Sequence, residues 1–153
     1  EAAYGYLTGH RDVEPAGLGI HGHSIGSLLA AHTANRHRAA GLVLESPITD
    51  GEDLASRLVP WWLEIFVRIE LEEPLTKMSN LREVPEVTVP LLLVVGSEDN
   101  ITPSDMAEDL YGIAVTEQKR LEVLEGGGHN DLPQREDYRR VLKQFYRSVA
   151  PDK

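Results

Sequence analysis

The chain has 153 residues, one domain's worth, with 41% hydrophobic residues and a formal net charge of −10. That acidity argues against a nucleic-acid partner, which calls for a basic patch, and against an anionic membrane surface; its plainest role is solubility. There is no cysteine, which excludes a disulfide framework, thiolate chemistry and a Cys-ligated metal, and fits a reducing, cytoplasmic compartment.

Apolar periodicity changes kind along the chain. Residues 1–8 read as the end of a helix, and residues 18–22 as a first short strand. A helix is predicted over 26–38, with Leu28, Leu29 and Ala31 facing inward, followed by a second strand at 41–45. The long segment from Pro47 to Val89 breaks the alternation. Inside it Leu54, Leu58, Trp62, Ile65 and Ile69 recur near helical spacing, and Pro60 divides them into two short helices. Trp61 and Phe66 lie off that stripe, so the segment is apolar on more than one side. Two readings stay open: an ordinary helix packed on the sheet, or a small helical lid at 51–72 whose Trp61, Trp62 and Phe66 meet substrate. The clearest strand is Pro90 to Gly96, PLLLVVG, because a continuous Leu/Val run suits a parallel strand covered on both faces. A helix over 104–115 follows Thr102-Pro103, which reads as a cap and first turn. A last strand is predicted at 120–124. The final helix, 133–149, carries Tyr138, Val141, Leu142, Phe145 and Val149 on one stripe. Strands alternating with helices predict an α/β domain, a mainly parallel sheet flanked by helices. No apolar stretch approaches the roughly 18–20 residues of a membrane span.

Chemistry is first suggested by residues 22–26, Gly-His-Ser-Ile-Gly, a G-x-S-x-G motif where the first strand run gives way to the first long helix. A sharp strand-to-helix turn there exposes the Ser24 hydroxyl at the carboxyl edge of the sheet. Gly22 and Gly26 remove the Cβ atoms that would clash. The helix behind the turn aims its N–H groups and positive dipole end at any developing negative charge, so the Ile25 N–H is a natural oxyanion donor. A serine hydroxyl is a weak nucleophile at neutral pH and needs a base to take its proton and a third group to orient that base. Asp99 stands three residues beyond Gly96, at the end of the strongest strand, and is the leading acid; Glu98 is the runner-up and Asp50 a distant third. His129 follows the last strand and Gly126, Gly127 and Gly128, which let the backbone bend and bring an imidazole over the sheet edge. His21 remains a minor alternative. The His23 side chain is expected to point away from Ser24, and His10, His32 and His37 read as surface or packing residues.

The segments GIHGHSIGSLLA, LVLESP, VPLLLVVGSEDNITP and LEVLEGGGHND together resemble the α/β-hydrolase superfamily. They are most similar to its serine-hydrolase branch of small esterases, thioesterases and dienelactone-hydrolase-like or prolyl-oligopeptidase-like catalytic domains. The likeness runs from residue 1 to about 148. It implies Ser24 as nucleophile, Asp99 as acid and His129 as base, in the chain order associated with this elbow. It implies an ester, thioester or amide cleaved through an acyl-enzyme, with a small-molecule acyl substrate and no metal or organic cofactor. LESP followed by Trp-bearing helices is where such enzymes often carry a lid.

The chain departs from the family in one respect. In that family several strands and a helix precede the nucleophile strand, and an early loop gives the second oxyanion N–H. Here the resemblance begins just before the nucleophile strand, so an incomplete α/β-hydrolase fold is expected. Loss of one oxyanion donor typically costs roughly 10²–10³ in rate, and an unpaired sheet edge invites association. A missing N-terminal segment, or a second chain in an oligomer, is expected to complete the sheet, and residues 1–153 alone are expected to be weakly active or inactive. Two further readings compete: a serine peptidase of the same fold, and a non-catalytic binding module derived from it.

Overall fold

Four short apolar runs become four parallel strands. The computed structural model describes residues 2–51, 53–54 and 78–150. The strands are β1 (Gly19–His23), β2 (Gly41–Glu45), β3 (Leu91–Gly96) and β4 (Lys119–Leu124), in spatial order β1-β2-β3-β4. Between and after them lie helices α1 (Ala2–Thr8), α2 (Gly26–Arg36), α3 (Asn80–Glu83), α4 (Ser104–Ile113) and α5 (Glu136–Val149). The segment carrying the expected lid, with Trp61, Trp62 and Phe66, lies outside the described residues.

The Leu/Val runs work because successive strand residues face opposite sides, and here both sides are covered. Leu42, Leu44, Leu91 and Leu93 join Ala30, Ala31 and Ala34 of α2, Val84, Val87 and Leu110 in one core. The alternate residues Val43, Leu92 and Val94 pack on the opposite face against Tyr138, Val141 and Phe145 of α5 and Leu132. All residues of β2 and β3 are buried. The sheet is therefore a layer between α2, α3 and α4 on one side and α5 on the other, as the alternating pattern predicts.

Three local details differ from the sequence reading. Leu29, expected inside, is 53% exposed. The inward residues of α2 are Ser27, Leu28, Ala30, Ala31 and Ala34, and the small side chains of its alanines let the helix approach β1 closely. Thr102 does not cap α4: the cap position is Pro103, with no side-chain cap hydrogen bond. Pro133 belongs to a separate 3₁₀ turn, Leu132–Gln134, and α5 begins at Glu136.

Strand register sets the position of everything functional. His23 is level with Glu45, Glu45 with Val94, and Gly96 with Leu124. Because the strands are parallel, their carboxyl ends form one edge, and the loops leaving β1, β3 and β4 all start along it. β1 ends the sheet among the described residues, and an open groove of about 400 Å³ follows it, lined in part by Leu7, Leu18, Ile20, His21 and Leu29. No helix among the described residues is long and apolar enough to cross a membrane.

Candidate active site

At the end of β1 the backbone turns through Ser24 with φ 54°, a left-handed conformation in a residue that has a Cβ. The Ser24 N–H donates to the Glu45 carbonyl at 2.9 Å, and its own carbonyl accepts from the Ser27 N–H at 2.9 Å, so the turn is clamped from both sides. Gly22 is required there: a Cβ would lie 2.4 Å from the Gly26 carbonyl oxygen and 2.6 Å from the Ala30 Cβ. Gly26 differs from expectation, because a Cβ at that position would meet open space. Ile25 occupies the position just before α2 and is 44% exposed. The N–H groups at a helix start lack intrahelical acceptors, so this end of α2 presents donors beside the serine.

Asp99 follows β3 and is 4% exposed. Its Oδ1 accepts the backbone N–H groups of Ile101 at 3.0 Å and Thr102 at 2.8 Å, and its Oδ2 accepts the Thr102 hydroxyl at 2.9 Å. Burial alone would raise its carboxyl pKa, but the Thr102 N–H and the His129 imidazole outweigh burial and hold it below the ordinary value of 3.8. The carboxylate is thus kept ionised by donors fixed in its own loop.

His129 reaches the same point from β4. The Gly126–Gly128 turn that carries it has φ 67° at Gly126 and is tied down by Glu98 N–H to the Gly127 carbonyl and Gly128 N–H to Asp131 Oδ1, each 2.8 Å. This turn passes directly over the end of β3, where a Cβ on Gly96 would lie 2.0 Å from the Gly127 oxygen. His129 Nδ1 donates to Asp99 Oδ2 at 2.8 Å, and its Nε2 stands 3.0 Å from Ser24 Oγ. The aspartate fixes the tautomer: an acceptor at Nδ1 places the proton there and leaves Nε2 to receive one from the hydroxyl. The three residues come from three different loops, and the imidazole side chain is only 10% exposed. Among the described residues no group of three or more His, Asp or Glu is placed to hold a metal ion.

The other candidates lie elsewhere. Glu98 is exposed and uses its backbone, not its carboxylate, to hold the His129 turn. Asp50 accepts the Asp53 N–H. His21 pairs with Glu45 at 2.9 Å and His32 with Glu83 at 2.8 Å, while His37 stacks on Tyr4 and His10 meets Tyr6 edge-on. Two residues enter the site against or beyond expectation. His23, not expected to take part, lies against the base: its Nε2 is 2.9 Å from the His129 carbonyl oxygen and its ring 4.9 Å from the His129 ring. Thr102, read from sequence as a helix cap, clamps Asp99 and also lies 3.1 Å from His129 Nδ1. A carboxylate followed three residues later by Thr in a strand-end loop was the available signal for the second.

The sequence profile of the prolyl oligopeptidase family matches residues 2–148. An uncharacterised protein of Mycobacterium tuberculosis is 34% identical over 149 residues, covering 97% of this chain and 50% of the relative. The human alpha/beta hydrolase domain-containing protein 17B is 30% identical over 149 residues, covering 95% and 46%. The crystal structure of acetyl xylan esterase 1 from a Thermoanaerobacterium species is similar with a TM-score of 0.73 at 18% identity, over 96% of this chain and 50% of that one. The chain spans about half the length of the curated relatives it matches.

Proposed function

The chain belongs to the prolyl oligopeptidase family of α/β-hydrolases, and from that premise we propose that it is the catalytic part of a hydrolase, a serine hydrolase acting on a carboxylic ester through an acyl-enzyme. The observation that carries the reading is the continuous path from Ser24 Oγ through His129 to the ionised Asp99. In this reading His129 Nε2 takes the hydroxyl proton as Ser24 attacks the acyl carbonyl. The Asp99 carboxylate stabilises the imidazolium that forms, and the Ile25 N–H at the start of α2 receives the oxyanion. His129 then protonates the leaving alcohol, and a water activated by the same imidazole releases the acid. Burial of His129 and Asp99 supports the role, since charge pairs act more strongly away from bulk water. A small-molecule acyl substrate is the partner this reading calls for.

The test is steady-state hydrolysis of p-nitrophenyl esters beside peptide p-nitroanilides with the full-length protein. Ester turnover that falls to background in Ser24→Ala, and by about 10⁴ in kcat in Asp99→Asn, is the expected result. Turnover confined to the anilides would move the protein to the peptidases, and unchanged turnover in Ser24→Ala would overturn the reading.

A further inference from the structure

The residue before Ser24 touches His129. We propose that His23 is a positioning residue for His129: its Nε2–H donates to the His129 carbonyl and fixes the backbone from which the imidazole hangs. This rests on the reading of Ser24 and His129 given above.

Consecutive residues of one strand end grip one histidine at both ends. Ser24 Oγ meets the His129 ring at 3.0 Å, and His23 Nε2 meets the His129 carbonyl at 2.9 Å. A carbonyl only accepts, so the hydrogen bond assigns the proton to His23 Nε2. The two rings, 4.9 Å apart and tilted by 45°, also limit each other's rotation. The anchor matters because of what precedes His129. The Gly126–Gly128 run is pinned at all three glycines, but those ties precede residue 129, and glycine resists bending less than any other residue. The tie at residue 129 itself comes from β1, the strand that carries the nucleophile. Base and nucleophile therefore share one support, and thermal displacement of the loop is coupled to that strand. His23 is exposed, and its hydrogen bond and its ring contact are both made with His129, so burial in the core does not account for it.

A glutamine at 23 places its amide N–H near the position of Nε2, whereas asparagine is one bond too short and leucine has no donor. Hydrolysis of p-nitrophenyl acetate by the full-length protein is measured for His23→Gln, His23→Asn and His23→Leu, with Ser24→Ala as baseline. The expected result is a kcat about 10²-fold lower for the asparagine and leucine variants, the cost of a misplacement on the order of 1 Å, with KM little changed. Glutamine is expected to restore kcat to within a few-fold of the parent. The hydrogen-bonded Nδ1 proton of His129 should persist in the NMR spectrum of the parent and the glutamine variant and broaden in the other two. Melting temperatures should match throughout. Equal kcat in all three variants, with Ser24→Ala inactive, would overturn the positioning role alone. Loss of the fold in the glutamine variant would overturn it too, marking His23 as structural. A parent no more active than Ser24→Ala would instead overturn the hydrolase reading.

Discussion

Ser24 is held at φ 54°, and a residue with a Cβ in that region carries strain on the order of 1–3 kcal/mol. The strain is tolerated because the Glu45 carbonyl and the Ser27 N–H fix the backbone on either side. Glycine adopts this conformation without steric cost. Ser24→Gly should therefore be more stable than Ser24→Ala by about 1 kcal/mol in urea unfolding, although neither variant retains the hydroxyl. A glycine variant that is the less stable of the two would contradict the strain argument. Residue by residue, the sequence was readable where chemistry and spacing coincide. Gly22, Ser24, Asp99 and His129 each stand at a strand end, and the structure brings the last three together. His23 and Thr102 were not readable in the same way. The His23 bond goes to a backbone carbonyl 106 positions away, and no side-chain pattern encodes such an acceptor.

At the scale of elements, close packing decides which glycines matter. Gly22→Ala and Gly96→Ala each press a Cβ into backbone, against Gly26 and Gly127 respectively, and each should cost about 3 kcal/mol or more. Gly26→Ala meets nothing and sits in the first turn of α2, where alanine should be neutral or stabilising by up to about 1 kcal/mol. Chemical denaturation of the three variants separates them; a Gly26→Ala as damaging as Gly22→Ala would refute the geometry. The motif alone treats its two glycines alike, and only the approach of α2 to β1 tells them apart. The same approach explains Leu29: α2 turns Ala30, Ala31 and Ala34 to the sheet, and position 29 falls outside that face. β3 and α5 were legible because a continuous Leu/Val run and an amphipathic stripe each have one stable placement. The polar tie of Asn80 to Ser27 and to the Ile48 carbonyl, at 2.9 and 2.8 Å, was not. Buried polar contacts between α2, α3 and the loop after β2 follow from the finished packing.

For the whole molecule, the buried carboxylates set the response to pH. Glu45 is 4% exposed beneath the elbow and accepts from His21 and from the Tyr138 hydroxyl. Burial alone would raise its carboxyl pKa; the hydrogen bonds from His21 and Tyr138 outweigh burial and hold it below the ordinary 4.5. Asp99 is lowered in the same way. Groups with a depressed folded pKa contribute stability that is complete above their unfolded values and is lost as pH falls through the folded ones. Unfolding free energy should therefore be flat from pH 7 to 5 and decline below about 4.5, and Glu45→Gln should flatten that decline. Burial, reinforced by the hydrogen bond to Glu45, raises the pKa of the Tyr138 hydroxyl, so its contribution is present below about pH 10 and lost as pH rises beyond it. A decline that begins near neutrality would contradict both assignments. The net charge of −10 adds self-repulsion at neutral pH. The sheet edge that sets the positions of Glu45 and Asp99 also unites three loops into one site, and the account stands on what that site does to a single hydroxyl. A fluorophosphonate reacts with a serine only when a neighbouring base activates it. Mass mapping of the labelled full-length protein should place the adduct on Ser24, with none in Ser24→Ala and strongly slowed labelling in His129→Ala. An adduct elsewhere, or a parent that resists the reagent while folded, would contradict the account.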